Sequence, residues 1–352
     1  MVSIIIPVRN EEKRLEGTIE SILSQTYKGE IEILIADGMS DDNTIKIINR
    51  FQKDHKNIYM IKNDEKIVST GFNRCLSLVI GSVIIRLDGH SKIEPDFIDN
   101  CLKVLNNINA DCVGGVTKHK AKGLIGESIR IAQSSKFGVG GVSFRSDLIK
   151  GKYVDTLAFG AYRRKVFSRI GGYDEELIRN QDDEFNFRLT QAGSKIWLDS
   201  SINSSYYTRN SFFKLFKQYY QYGFYKLRVM QKRRGFVSWR HLVPGVFTFF
   251  LLVSFAFLLN SWNIWFFYLI SGSYLIANII GAIYELVKTF TLKDSPKVLS
   301  FIFLPVTFFI LHISYGLGFL IGFIYYINKW RSRDLIDNYF DREKFKIQRV
   351  IT

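Results

Sequence analysis

Three apolar blocks in the C-terminal part of the chain set the first limit on its fold. From Leu242 onward the sequence runs LVPGVFTFFLLVSFAFLL, WFFYLISGSYLIANIIGAIY and VLSFIFLPVTFFILHISYGLGFLIGFIYYI, each near or above the roughly 20 residues that cross a bilayer. Apart from Glu285 and Lys288 at the end of the second block, they are nearly free of charge and of amphipathic period, unlike the buried helices of a large soluble core. Residues 241–328 are therefore expected to form transmembrane helices behind a soluble N-terminal half.

The charge pattern orients these helices. The chain has 48 Lys and Arg against 33 Asp and Glu, a formal net charge of +15. Its basic residues gather in KLRVMQKRRG before the first block and NKWRSR after the last, so the expected partner of this charge is anionic lipid and not nucleic acid. Lys226, Arg228, Lys232, Arg233 and Arg234 place the start of the first span on the cytoplasmic side. Lys288, Lys293 and Lys297 bring the chain back inside, yet Lys329, Arg331 and Arg333 ask for the same side. Either the last block crosses once, or it dips and returns with Pro305 and YGLG (315–318) as break points; the uninterrupted apolar run favours one crossing. The N-terminal MVSIIIPVRNEEKRLE has too short an apolar run for an export signal. The expected location is the cell (plasma) membrane, multi-pass, with the N-terminal domain cytoplasmic. Cys75, Cys101 and Cys112 lack the spacing of a zinc site or disulfide framework and read as core residues.

In the soluble half, VSIIIPV, IEILIADG, NIYMIKN, SVIIRLDG and DCVGGV are short β-branched runs ending in turn residues. Between them lie segments of helical period: EEKRLEGTIESILSQTY, with Leu15, Ile19, Ile22 and Leu23 on one face, and SDDNTIKIINRFQKDH, where Asp41 or Asp42 can cap the N-terminus. Alternating strand and helix predicts an α/β fold with a mostly parallel sheet. Ligands bind beyond the carboxyl ends of such strands, which directs attention to Pro7–Glu11, Asp37–Asp41 and Asp88–His90. No G-x-G-x-x-G follows the first strand and no G-x-x-x-x-G-K-[ST] occurs, so phosphate must be handled otherwise. A divalent cation, Mn2+ or Mg2+, held by Asp88 and His90 would neutralise a diphosphate, and the mixed oxygen and nitrogen pair suits manganese at least as well as magnesium. The alternative is that Asp88 and Gly89 simply make a turn.

Taken in order, SIIIPVRNEE, IADGMSDDNT and RLDGH resemble the opening strand and loop, the acidic nucleotide-binding turn and the metal-binding Asp-x-Asp of the family-2 glycosyltransferases, whose fold is called GT-A. The resemblance covers roughly residues 1–225. It implies an enzyme that takes a sugar from a nucleoside-diphosphate donor, with UDP expected. Pro7, Arg9, Glu11, Asp37 and Asp88 would form the nucleotide-sugar site. Asp37 would bond the base, Asp88 would face ribose and metal, and His90 would stand where the family has a metal-ligating Asp. A His there is similar to a membrane-bound branch related to the succinoglycan glucosyltransferases, and HISYGLGFLIG looks like that branch's final hydrophobic segment. His312 within it, mid-span, is read as a helix-contact residue.

In RIGGYDEELIRNQDDEFNFRLTQAGSKIWL, Asp182, Asp183 and Glu184 open an amphipathic helix, where acids also favour the helix dipole. The string resembles the family's catalytic segment, which makes Asp182 the general base, although Gln181 replaces the usual Glu before it. One carboxylate opposite the leaving diphosphate is what an inverting transfer needs, with no covalent intermediate; no nucleophilic Ser or Cys constellation is present. The Gly-rich loop across 135–155 is equally a lid over the acceptor or a plain surface loop. SFFKLFKQYYQYGFYKLRVMQKRR interleaves aromatic and basic residues like a helix in the membrane interface. The processive synthases carry Gln-x-x-Arg-Trp here; QYYQYGFYK does not match, which favours a single addition.

The expected organisation is a GT-A catalytic domain over 1–210, an amphipathic and basic juxtamembrane segment over 211–240, transmembrane helices over 241–328 and a basic tail over 329–352. The expected function is an inverting, metal-dependent transfer of one sugar to a membrane-held, polyprenyl-diphosphate-linked saccharide acceptor in surface polysaccharide synthesis. The alternatives are a transferase that charges polyprenyl phosphate itself, and an inactive membrane-anchored binding protein of the same fold.

Overall fold

The structure is a computed structural model and describes residues 1–141, 151–233, 239–291 and 298–331. In chain order the elements are β1 (Val2–Val8), α1 (Leu15–Leu23), β2 (Ile31–Asp37), α2 (Thr44–Asp54), β3 (Ile58–Lys62), α3 (Val68–Leu76), β4 (Val83–Arg86), β5 (Ser91–Ile93), α4 (Phe97–Asn107) and β6 (Cys112–Lys120). There follow α5 (Gly123–Ser134), α6 (Lys136–Val139), β7 (Lys152–Val154), β8 (Ala161–Arg163), α7 (Lys165–Ile170), α8 (Gln181–Gln191) and β9 (Ile196–Tyr207). The helices α9 (Phe212–Lys232), α10 (Val243–Leu259), α11 (Ile264–Thr291) and α12 (Leu304–Tyr326) complete the described chain.

Two compact units result. One holds Met1–Lys118 with the described residues of Ser143–Tyr206; the other holds the described residues of His119–Val142 and Tyr207–Ser332.

The first unit is α/β around one sheet, ordered β3-β2-β1-β4-β8-β6-β9-β5 with β7 beside β9. β3, β2, β1 and β4 are parallel, and β8 joins β4 antiparallel. β1 is apolar except for Ser3, which donates to the Glu32 carboxylate, because both its faces are covered: Ile4 and Ile6 pack with Leu15, Ile19 and Ile33, while Ile5 packs with Leu34, Phe72 and Phe185 on the opposite face. Pro7 is tolerated in this central strand because of where it falls. Ile5 faces β4, its carbonyl accepting from the Leu87 N–H (3.0 Å), and Pro7 faces the same way beyond the last paired residues, Ile5 and Arg86. Val8 is level with Asp37, and Asp37 with Lys62, so the carboxyl ends of three strands form one rim.

Side chains tie the rim loops together. Asn10 and Asp41 exchange hydrogen bonds (2.7 and 3.0 Å), and Thr44 Oγ1 accepts from the Glu11 N–H (2.8 Å). The N-cap of α2 is Asn43; Asp42, expected there, stands one residue earlier and accepts from the Thr44 N–H at 2.9 Å, while its other oxygen accepts from the Glu12 N–H at 3.1 Å.

In the second unit, α9 and α12 pack closely enough that a Cβ on Gly318 would lie 2.0 Å from the Tyr220 carbonyl oxygen and one on Gly223 2.0 Å from that of Tyr315. Among the described residues, three helical stretches are long and apolar enough to cross a membrane: Trp239–Leu259, Ile264–Thr289 and Leu299–Lys329. α12 runs unbroken through YGLG, with Pro305 in its first turn, where a missing N–H costs nothing. The compact units part elsewhere than residue 210 because α5 and α6 carry apolar residues, Ile129, Ala132 and Phe137, that pack with Leu215, Phe308 and Leu311. Lys226, Arg228 and Lys232, read from the sequence as facing lipid head groups, are buried, with Arg228 over the Tyr326 ring at 5.8 Å. Arg234, Lys293, Lys297, Arg333, the central part of the 135–155 loop and the tail beyond 331 lie outside the described residues.

Candidate active site

Asp37 ends β2 and is buried. Its two carboxylate oxygens accept from the Ser40 N–H (3.1 Å) and Ser40 Oγ (2.6 Å), an Asx-type turn that fixes the acid at the rim. Pro7 is buried inside β1 and Arg9 is exposed just past it. Gly38 lets the loops close, since a Cβ there would sit 3.2 Å from the Val8 carbonyl oxygen and 3.3 Å from Arg9 Cβ.

Asp88 follows β4 and does make a turn: its carbonyl accepts from the Ser91 N–H (3.1 Å) and Ser91 Oγ (2.7 Å). The turn and the candidate site are the same residues. The Asp88 carboxylate receives Arg86 Nη2 at 2.6 Å. His90 Nδ1 meets Glu11 Oε1 at 2.7 Å, and His90 Nε2 is buried with no hydrogen-bond partner among the described residues. The side chain of Glu11, expected at the donor, is thus turned to His90 in this structure.

Asp182 opens α8 after Asn180, which is left-handed at φ 62°. It is partly exposed and accepts from the Asp183 N–H at 2.9 Å. Its neighbours along the helix differ from it. Glu184 is buried and clamped by Arg188 at 2.6 Å, which also reaches the Gly172 carbonyl at 2.7 Å, so this acid serves the packing of α8. Desolvation pushes the Asp182 carboxyl above its ordinary range, opposed by the Arg86 guanidinium and reinforced by the negative charges of Asp183 and Asp88.

Arg86 is the residue that sequence reading passed over. It is 6% exposed. Burial works against its charge, but the carboxylates of Asp88 and Asp182 hold it protonated. Nη1 donates to the Ala158 carbonyl at 3.2 Å. Tyr173 was missed too: Phe72 stacks on its ring at 4.2 Å, its N–H donates to Asn73 Oδ1 at 2.8 Å, and its hydroxyl is buried without a partner among the described residues. Arg86 ends an apolar strand run and Tyr173 lies in a loop, so the only signal in the sequence was a basic residue two positions before Asp88 in RLD.

Among the described residues no group of three or more His, Cys, Asp or Glu is arranged to hold a metal. One carboxylate and one imidazole with an unpartnered nitrogen are nonetheless the donor set of an ion completed by substrate phosphate oxygens and water. His312 makes helix contacts, as expected: Nδ1 meets Tyr274 Oη and Nε2 the Phe137 carbonyl oxygen, both at 2.9 Å. The three cysteines are free and buried.

The family model described as Glycosyl transferase family 2 matches residues 3–171. A Methanococcus voltae protein, dolichyl N-acetyl-alpha-D-glucosaminyl phosphate 3-beta-D-2,3-diacetamido-2,3-dideoxy-beta-D-glucuronosyltransferase, is 31% identical over 332 residues, 92% of this chain and 97% of that one. The succinoglycan biosynthesis protein ExoA of Rhizobium meliloti is 29% identical over 243 residues, 68% of this chain and 73% of its own. Among solved structures, mannosyltransferase PcManGT from Pyrobaculum calidifontis, in complex with GDP-Man and Mn2+, superposes with TM-score 0.55 at 15% identity, covering 91% of this chain and 86% of that one, a likeness of fold. With a GT-A-like α/β sheet, a matching family model and a relative similar along nearly its whole length, this chain belongs to glycosyltransferase family 2 and is a glycosyltransferase.

Proposed function

We propose that the protein is an inverting, metal-dependent transferase that moves one sugar from a nucleoside-diphosphate donor, UDP first among those to test, to a lipid-linked saccharide acceptor. The carrying observation is that Arg86 joins Asp88, of the turn after β4, to Asp182, at the start of α8, in one electrostatic cluster. An acid for the donor and an acid for the acceptor are what the reaction requires. Asp37 takes the nucleotide base, with Pro7 and Arg9 around the donor rim. Asp88 and His90 hold Mn2+ or Mg2+, which when bound stabilises the departing diphosphate as a Lewis acid. Asp182 accepts the proton of the acceptor hydroxyl as its oxygen bonds to the anomeric carbon. The bond from that carbon to the diphosphate breaks with its electron pair leaving on phosphate, and attack from the opposite face inverts the centre.

The acceptor class is supported by the names of the Methanococcus voltae and Rhizobium meliloti relatives, the one acting on a dolichyl-linked sugar and the other serving polysaccharide synthesis. The three apolar helices support a multi-pass membrane enzyme, with the first unit cytoplasmic by the charge pattern.

The test is nucleotide release and sugar transfer by detergent-solubilised protein over a panel of nucleoside-diphosphate donors, with polyprenyl-diphosphate-linked saccharides and polyprenyl phosphate as acceptors. Transfer to the saccharide that stops on chelation and in Asp88→Ala is expected. Transfer to polyprenyl phosphate alone would replace the acceptor assignment, and chelator-insensitive activity would remove the metal. Donor binding without turnover over the whole panel would leave a binding protein.

A further inference from the structure

The pairing of Glu11 with His90 is built from both sides. Glu11 has its N–H on Thr44 Oγ1 (2.8 Å) and its carbonyl accepting from the N–H groups of Arg14 and Leu15 (2.9 Å each), so its backbone is held at the entry to α1. Thr18 Oγ1, on α1, lies 3.0 Å from the Gly89 carbonyl and 2.8 Å from that of Ser91, clamping the chain on either side of His90. A Cβ on Gly89 would fall 2.7 Å from Val8 Cγ1 and 3.1 Å from Glu11 Cγ, so the turn rests directly on Glu11. Tyr206 meets the imidazole edge-on, with ring centroids 4.9 Å apart. The ring is thus positioned by its backbone, one face contact and one hydrogen bond.

That hydrogen bond decides which nitrogen is available. An ionised carboxylate only accepts, so Nδ1 must carry the hydrogen it gives to Glu11 Oε1 at 2.7 Å, and the lone pair of the neutral ring lies on Nε2. Nε2 is the buried nitrogen without a partner among the described residues. A carboxylate on one imidazole nitrogen with the other left open is the arrangement that orients histidine ligands and raises their basicity toward a metal.

We infer that Glu11 is a positioning residue for the metal and not a donor contact: it fixes the His90 tautomer so that Nε2 is the nitrogen left open, and thereby tilts the site toward Mn2+ over Mg2+. This rests on the reading that a metal binds at Asp88 and His90. The selectivity follows from ligand type, since imidazole suits first-row transition ions whereas magnesium takes oxygen.

The experiment uses full-length protein in detergent with UDP, reading bound Mn2+ by electron paramagnetic resonance and Mg2+ by competition. Glu11→Ala is expected to weaken Mn2+ binding by about 10- to 100-fold, the usual cost of removing such a partner, with a smaller loss for Mg2+. Its UDP affinity in EDTA should be unchanged. Glu11→Gln, which still accepts from Nδ1 but has no charge, should fall between wild type and Glu11→Ala. Hyperfine coupling of Mn2+ to nitrogen should be present in wild type and absent in His90→Ala. Wild-type Mn2+ affinity in Glu11→Gln or Glu11→Ala, with His90→Ala impaired, overturns the role of Glu11 alone; the Gln variant keeps the shape, so this answer survives if the Ala variant does not fold. Wild-type Mn2+ affinity in His90→Ala overturns the metal reading and this inference with it. Loss of UDP affinity in EDTA for Glu11→Ala returns Glu11 to the donor.

Discussion

Three consecutive acids, Asp182, Asp183 and Glu184, share a helix start but not an environment. Glu184 is neutralised by Arg188, while Asp182 accepts from the Asp183 N–H and is raised by burial against the pull of Arg86. A base must be ionised to accept a proton, so transfer should fall as pH drops through the raised Asp182 titration, above the ordinary aspartate value of about 3.9. Asp183→Asn removes a like charge and should move that acid limb to lower pH while keeping most of the rate. Asp182→Asn should lower kcat by roughly 10²- to 10⁴-fold with donor affinity retained. Rate profiles against pH for both variants, beside donor titrations, check this; a dead Asp183→Asn beside an active Asp182→Asn would put the base one residue further on. The sequence made the choice legible only through the family resemblance, because charge alone does not distinguish the three.

At the scale of elements, the interface of α9 with α12 depends on glycines. Backbone carbonyls of Tyr220 and Tyr315 occupy the space that a Cβ on Gly318 or Gly223 would need, and backbone cannot swing aside as a long side chain can. Gly318→Val should force the helices apart and destabilise the second unit by about 1–3 kcal/mol, the usual range for overpacking. Thermal unfolding in detergent measures it, with Gly272→Val as the control, since nothing lies within 4 Å of a Cβ there. An unchanged midpoint for Gly318→Val would show that the helices do not meet at this glycine. YGLG reads in sequence as a break in the last apolar block. In the structure its glycines are contact points on an unbroken helix, because a neighbouring backbone compensates for their small size.

At the scale of the whole molecule, the segment with α5 and α6 is adjacent in sequence to the α/β half but is packed within the helical unit. Ser128 Oγ hydrogen-bonds Thr307 Oγ1, and the Phe137 carbonyl accepts from or faces His312 Nε2 at 2.9 Å, with the Phe137 ring against Phe308 at 4.9 Å. A fragment ending at Tyr206 therefore leaves Ile129, Ala132 and Phe137 without Leu215, Phe308 and Leu311. Size-exclusion chromatography should find it aggregated, and replacing 122–141 by a Gly/Ser linker should restore a soluble species. A monodisperse fragment with α5 and α6 intact would show that these helices do not need the C-terminal ones.

Features that depend on local period and composition are readable along the chain before it folds. The strands are legible because β1 and β2 are buried on both faces, and the long helices because they are apolar all round. The acids at strand ends are legible because parallel strands bring their carboxyl ends to one rim. The tertiary structure alone decided which groups meet across the chain. Arg86 reads as a strand residue until burial pairs it with Asp88 and brings its charge to bear on Asp182. Nothing in the sequence joins Glu11 to His90 until the turn at Gly89 brings them within 2.7 Å. The basic residues of α9 read as facing lipid head groups until packing buries Lys226, Arg228 and Lys232. Periodicity says which face of an element is apolar; only the packed chain says which side chains from distant elements share that face, and a charge taken out of water is settled by its partner.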